Sequence, residues 1–81
     1  MKTILGLQVQ DRHALATDVQ KVLTENGCLI KTRVGLHDVQ GDHCSKDGVI
    51  LLELVGTGEE LDTFEERLRG LGITVKKMVF D

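Results

Sequence analysis

An α+β domain of order βαββαβ is the fold class this chain predicts, from a repeat, a periodicity and a set of turn signals. With a shift of 45 residues, positions 4–9 fall on positions 49–54. The same shift places Val19 on Phe64, Leu23 on Leu68, Gly27 on Gly72, Ile30 on Val75, Lys31 on Lys76 and Val34 on Val79. Within each copy, apolar residues first alternate as in a strand, then recur at helical spacing, then alternate again. Glycines and polar residues punctuate the changes of period. Two βαβ halves in 81 residues make a single domain, 1–81.

The first strand spans 3–9, with Leu5, Leu7 and Val9 on one face and Ile4, Gly6 and Gln8 on the other. Asp11 stands where a helix N-cap belongs. Leu15, Val19, Val22 and Leu23 then form the apolar stripe of the first helix. Asn26 and Gly27 end it, with Gly27 expected to adopt the left-handed conformation of a helix C-terminus. The second strand is expected over 28–37, with Cys28, Ile30 and Val34 facing the core and Cys28 acting as a small buried hydrophobe.

Residues 38–48 form a polar loop closed by Lys46, Asp47 and Gly48. A third strand over 49–55 is apolar on both faces except at Glu53. Thr57 and Glu60 have the spacing of a capping box, and Leu61, Phe64 and Leu68 stripe the second helix. Gly70 and Gly72 end that helix, and the last strand covers 73–80.

A right-handed crossover in each half and an antiparallel hairpin between them give a ferredoxin-like sandwich: a four-stranded antiparallel sheet with two helices on one face. The helix-facing core is then Leu5, Leu7, Val9, Ile30, Val34, Ile50, Leu52, Leu54, Val75 and Val79. The other face carries Ile4, Leu29, Val49, Leu51, Val55, Met78 and Phe80, interrupted by Lys31, Arg33, Glu53 and Lys76. A sheet packed on one side should be polar on the other, and a broad apolar patch there marks an interface. Ile4, Lys31, Arg33, Leu51, Glu53, Met78 and Phe80 are its candidate residues, with Arg33 and Glu53 as cross-strand neighbours. The partner expected is a second copy, in a dimer or tetramer.

Composition excludes several function classes. A net charge of −3 lacks the clustered Lys and Arg of a nucleic-acid surface. No apolar run approaches the roughly 20 residues that span a bilayer, so no membrane partner is expected. The N-terminus lacks the apolar core of a signal peptide. Two cysteines without such a signal suit free thiols and a cytoplasmic location.

Enzymatic constellations are equally sparse. Glu59, Glu60, Asp62, Glu65 and Glu66 belong to the solvated face and first turn of a helix, where acids favour the dipole. The single serine, Ser45, has no credible histidine and acid beside it. Val9-Gln10-Asp11-Arg12 superficially resembles the phosphate-holding turn of acylphosphatases. Asp11 puts a carboxylate where that turn needs a glycine and free amides. The expected protein is therefore not an enzyme. His37, Asp42, His43 and Cys44 gather around the central loop. Of these, His37, His43 and Cys44 carry imidazole and thiolate donors suited to a divalent transition metal, although their spacing matches no specific motif.

Val9-Gln10-Asp11-Arg12, with Leu15, Val19, Val22, Leu23, Asn26 and Gly27, resembles the opening of ACT regulatory domains. That resemblance implies a small-effector site at a strand–helix turn on a subunit interface, here Asp11, Arg12 and His13. Those domains usually carry Pro-Gly after Asp-Arg, where this chain has His13-Ala14. Gly27-Cys28-Leu29-Ile30-Lys31-Thr32-Arg33-Val34-Gly35-Leu36-His37, then Cys44, then Gly48-Val49-Ile50-Leu51-Leu52-Glu53-Leu54, is similar to small proteins described as iron-only hydrogenase system regulators. This second resemblance covers nearly the whole chain. It implies an ACT-like module, similar to the C-terminal domain of nickel-responsive repressors. Such a module senses an effector between subunits, and a protein partner reads the change, since the chain has no DNA-binding segment. A metal-binding protein using the 37–44 region is the alternative.

Overall fold

The computed structural model describes the backbone of residues 1–9, 12–40 and 43–81, and the side chains of 1–9, 17–36 and 48–81. The chain runs β1 (Lys2–Val9), α1 (Arg12–Glu25), a 3₁₀ turn (Gly27–Leu29), β2 (Ile30–Gln40), β3 (His43–Leu54), α2 (Gly58–Arg69) and β4 (Thr74–Phe80). The strands lie in the order β2-β3-β1-β4, all neighbours antiparallel. Both helices cover one face, so this is the ferredoxin-like α+β sandwich that the repeat predicts.

One aliphatic core joins the layers. Leu5, Leu7 and Val9 alternate inward from β1, Leu52 and Leu54 from β3, and Ile73 and Val75 from the last strand region. Val19, Val22 and Leu23 come down from α1, Phe64 and Leu68 from α2. Burying each large side chain contributes about 1.5–3 kcal/mol, and with only two Phe and no Trp or Tyr, Phe64 is its largest member.

α2 begins as its sequence dictates. Thr57 Oγ1 accepts from Glu60 N at 3.2 Å, and Thr57 N donates to Glu60 Oε1 at 3.0 Å. This capping box satisfies two amides that the helix itself cannot. Gly56 precedes it at φ +141°, where a Cβ would come within 2.9 Å of Leu29 Cδ2. Only glycine fits both that backbone and that space.

Several expectations are corrected. Gly27 does not take the left-handed conformation; among the described glycines only Gly56 and Gly72 have positive φ. Instead Asn26 Nδ2 donates to Val22 O at 2.8 Å, and the chain tightens into the 3₁₀ turn. That turn draws Leu29 onto the core, not the open face, and leaves Cys28 exposed rather than buried.

The largest correction concerns β2. Ile30 pairs with Leu54, but the next pair is Thr32 with Glu53, so Lys31 is an extra residue in a β-bulge. From Thr32 to Leu36 the side chains therefore change face. Val34 pairs with Leu51 on the open side and is 45% exposed, not in the core. Arg33 pairs with Leu52 on the helix side, so it neither faces Glu53 nor belongs to the open face. Val79, opposite Thr3, does lie on the helix side, yet at the sheet edge it is 46% exposed.

The polar loop expected over 38–48 is largely strand. β2 continues to Gln40 and β3 starts at His43, with Val39 opposite Cys44. β1 pairs with β3 only from Gly48 onward, so the far end of this hairpin is a two-stranded arm beyond the sheet.

Candidate functional site

Three regions hold the residues that could carry a function. The first two share one end of the sheet. Val9 of β1, Gly48 of β3 and His37 of β2 form a single cross-strand row. From Val9 the chain runs on towards Asp11, Arg12 and His13, and from His37 and Gly48 the hairpin arm extends. Arg12 and His13 open α1, and His43 and Cys44 open β3 opposite Gln40 and Val39. Sequence separation hid this proximity, because the sheet brings together segments about 30 residues apart. Asp11 and Asp42 lie outside the described residues, as do the side chains of Arg12, His13, His37, His43 and Cys44. Among the described residues, no three His, Cys, Asp or Glu side chains gather as metal ligands would.

The third region is the open face. Its rows, read from β2 to β4, are Thr32–Glu53–Ile4–Met78, Val34–Leu51–Gly6–Lys76 and Leu36–Val49–Gln8–Thr74. Phe80 lies beyond the first row, opposite Lys2. Val34, which simple alternation puts in the core, lies here with Leu36, and Met78 and Phe80 are about half exposed beside them. Consecutive apolar Leu29 and Ile30 were the available signal: both pack on the core, which strict alternation forbids.

Glu53 organises the bulge. Its carboxylate accepts from Thr32 Oγ1 at 3.1 Å and stands 3.9 Å from Lys31 Nζ and 3.7 Å from Lys2 Nζ. The two bulge residues thus share one acid, as expected where two residues oppose one.

Two clefts open on the helix side. One, about 200 Å³, lies between α2, β1 and β4, with Leu5, Leu54, Leu61 and Val79 as floor and Thr3, Asp62, Glu65 and Lys77 as polar lining. Lys77 Nζ donates to Glu65 Oε1 at 3.2 Å, and Arg69 Nε to Glu65 Oε2 at 2.9 Å. Burial pushes the Glu65 pKa up, but these two cations outweigh it and hold the carboxyl below its ordinary value. The other cleft is lined by Glu25, Asn26, Cys28, Leu29, Glu59, Glu60 and Thr63. Arg67 Nη2 donates to Glu25 Oε2 at 2.7 Å, tying the end of α1 to α2. That bond lowers the Glu25 pKa, and hydrogen bonds from Thr57 lower that of Glu60.

No protein-family model matches the chain, and no curated protein does. Solved structures do. The ACT domain of the GTP pyrophosphokinase of Chlorobium tepidum superimposes with a TM-score of 0.66 at 18% identity, over 96% of this chain and 97% of that one. CPII of Thiomonas intermedia K12, solved bound to ADP, AMP and acetate, gives 0.54 at 13% identity over 99% and 89%. The de novo designed protein Foldit4 gives 0.51 at 11% over 99% and 97%. The fold is therefore ACT-like. The designed neighbour makes the general point that this fold by itself dictates no activity. No helix among the described residues is long and apolar enough to cross a membrane.

Proposed function

We propose that this chain is a non-enzymatic, ACT-like regulatory module that binds a small effector and works as a homo-oligomer. The observation that supports it best is the likeness to an ACT domain over nearly the full length of both chains. The effector site is the β1–α1 turn, with Asp11, Arg12 and His13 as its polar groups. Its position beside the hairpin arm favours this reading, since an arm rooted at the same row can respond to a bound ligand. Effector binding shifts the population of subunit arrangements only as far as it favours one of them. An as yet unidentified protein partner in the cytoplasm reads that shift.

The resemblance of the 27–37 run supports a finer reading, regulation of iron-only hydrogenase expression or maturation. CPII, with its adenine nucleotides and acetate, suggests which small molecules to try first. A thermal-shift screen of the full chain against amino acids, adenine nucleotides and divalent metals tests the proposal. One class should raise the melting temperature, because binding the native state alone stabilises it by about 2.7 kcal/mol at a hundred times Kd. Arg12→Ala with His13→Ala should abolish the shift. A flat screen counts against the effector reading.

The metal-binding alternative is favoured by one feature of the hairpin: His37 stands at the root of the arm whose backbone includes His43 and Cys44. Metal analysis of untagged protein carrying His43→Ala and Cys44→Ser decides it: stoichiometric metal that survives both changes excludes those ligands.

A further inference from the structure

We infer that the open face of the sheet is closed by the same face of a second copy across a two-fold axis, with Leu51 of each copy seated over Gly6 of the other. This rests on the homo-oligomeric reading above and gives it a surface. The apolar band crosses all four strands, from Val34 through Leu51 and Ile4 to Met78 and Phe80. A two-layer sandwich covers only one side of its sheet, and no described helix lies over this one.

Gly6 makes a hole in the middle of that band. Its cross-strand neighbours are Leu51 and Lys76. A Cβ built on it meets only Leu51 Cδ2, at 3.6 Å, an ordinary contact, and its φ is not positive. The chain's own packing therefore does not require glycine, which weakens a strand interior. A close approach from outside does require it. The knob stands beside the hole: Leu51 is both the pairing partner and the repeat counterpart of Gly6. Adjacent knob and hole form the self-complementary arrangement that a two-fold axis can use twice.

The edges direct a second copy to the face. β2 is bulged at Lys31, and β4 carries Lys76 and Lys77 at mid-strand. Bulges and lysines are the devices that discourage strand addition, and two β4 strands paired about their centre would oppose like charges. Charge also favours face-to-face stacking. Lys76 has no ion-pair partner among the described residues, and Glu53, held only loosely by Lys2 and Lys31 at 3.7 and 3.9 Å, stands one row from Leu51. Seating Leu51 over the opposite Gly6 brings the Glu53 of one copy towards the Lys76 of the other, in both directions.

Sedimentation over a concentration series, with circular-dichroism melts of each variant, tests this. Wild type should be a dimer or a multiple of one. Gly6→Val, which suits a strand and projects from the open face, should keep the fold and weaken association about ten-fold or more, the scale of an overpacked contact. Lys76→Glu, away from any ion pair among the described residues, should also weaken it and checks the inference if Gly6→Val misfolds. A dimer indifferent to both variants overturns this surface while leaving the homo-oligomer reading intact. A monomer at every concentration overturns both, including one whose open face captures an acidic protein instead.

Discussion

β2 and β4 hold the same place in the two halves of the repeat, yet they meet the core differently. β4 enters through Ile73 and pairs with β1 without interruption, so Val75 lies inward and Lys76 outward, as alternation demands. β2 enters through a 3₁₀ turn that presents Leu29 and Ile30 to the core in succession, and the bulge at Lys31 absorbs the misfit. Val34 and Val79 are equivalent in sequence and similarly exposed, but they lie on opposite faces of the sheet. One inserted residue thus transfers apolar surface from the core side to the open side. Among the described side chains of β2, only the partly buried Ile30 packs on the core.

The comparison can be broken most forcefully in the core that both halves share. Phe64→Ala should cost about 3–5 kcal/mol, and Val19→Ala at the equivalent place about 2 kcal/mol, from lost contact and the cavity left behind. Denaturant unfolding measures both. Equal losses would mean that the two helices are interchangeable, against the larger buried volume of Phe64.

The junction of the halves comes next. Gly56→Ala should cost about 1–3 kcal/mol, since φ +141° and Leu29 both oppose a side chain. Gly72→Ala has the same backbone objection at φ +85° but no neighbour within 4 Å, and should cost less.

The α2 cap gives a smaller effect and a pH signature. Thr57→Ala should lose about 1 kcal/mol by thermal melting. Glu60, Glu65 and Glu25 have folded pKa values below the ordinary glutamate value. Their contribution is therefore fully present above about pH 4.3 and is lost as pH falls through the lowered folded values. A melting temperature that fell with acid equally in wild type and in Glu60→Gln would remove the cap from that account.

The finest test separates the two valines. Val34→Thr and Val79→Thr, both half exposed, should each change monomer stability by no more than about 0.5 kcal/mol. Only Val34→Thr should alter sedimentation, because only Val34 belongs to the open face.

By itself the sequence determined the element order, the stripes of Val19, Val22 and Leu23 and of Leu61, Phe64 and Leu68, the Thr57–Glu60 cap and the inward residues of β1 and β3, while the side chain of Leu15 lies outside the described residues. Each depends on local spacing, and the repeat supplied two independent examples of it. Tertiary structure decided the faces of β2 residues 32–36, the exposure of Cys28 and the extension of the hairpin to Gln40 and His43. It also decided that the end of β1 and the root of the hairpin arm share one row of the sheet. Local periodicity could not show these features, because a bulge is a compromise between two segments competing for one core. Leu29 and Ile30 could both pack inward only if Lys31 left the register, and Glu53 was across the sheet to hold the residues it displaced.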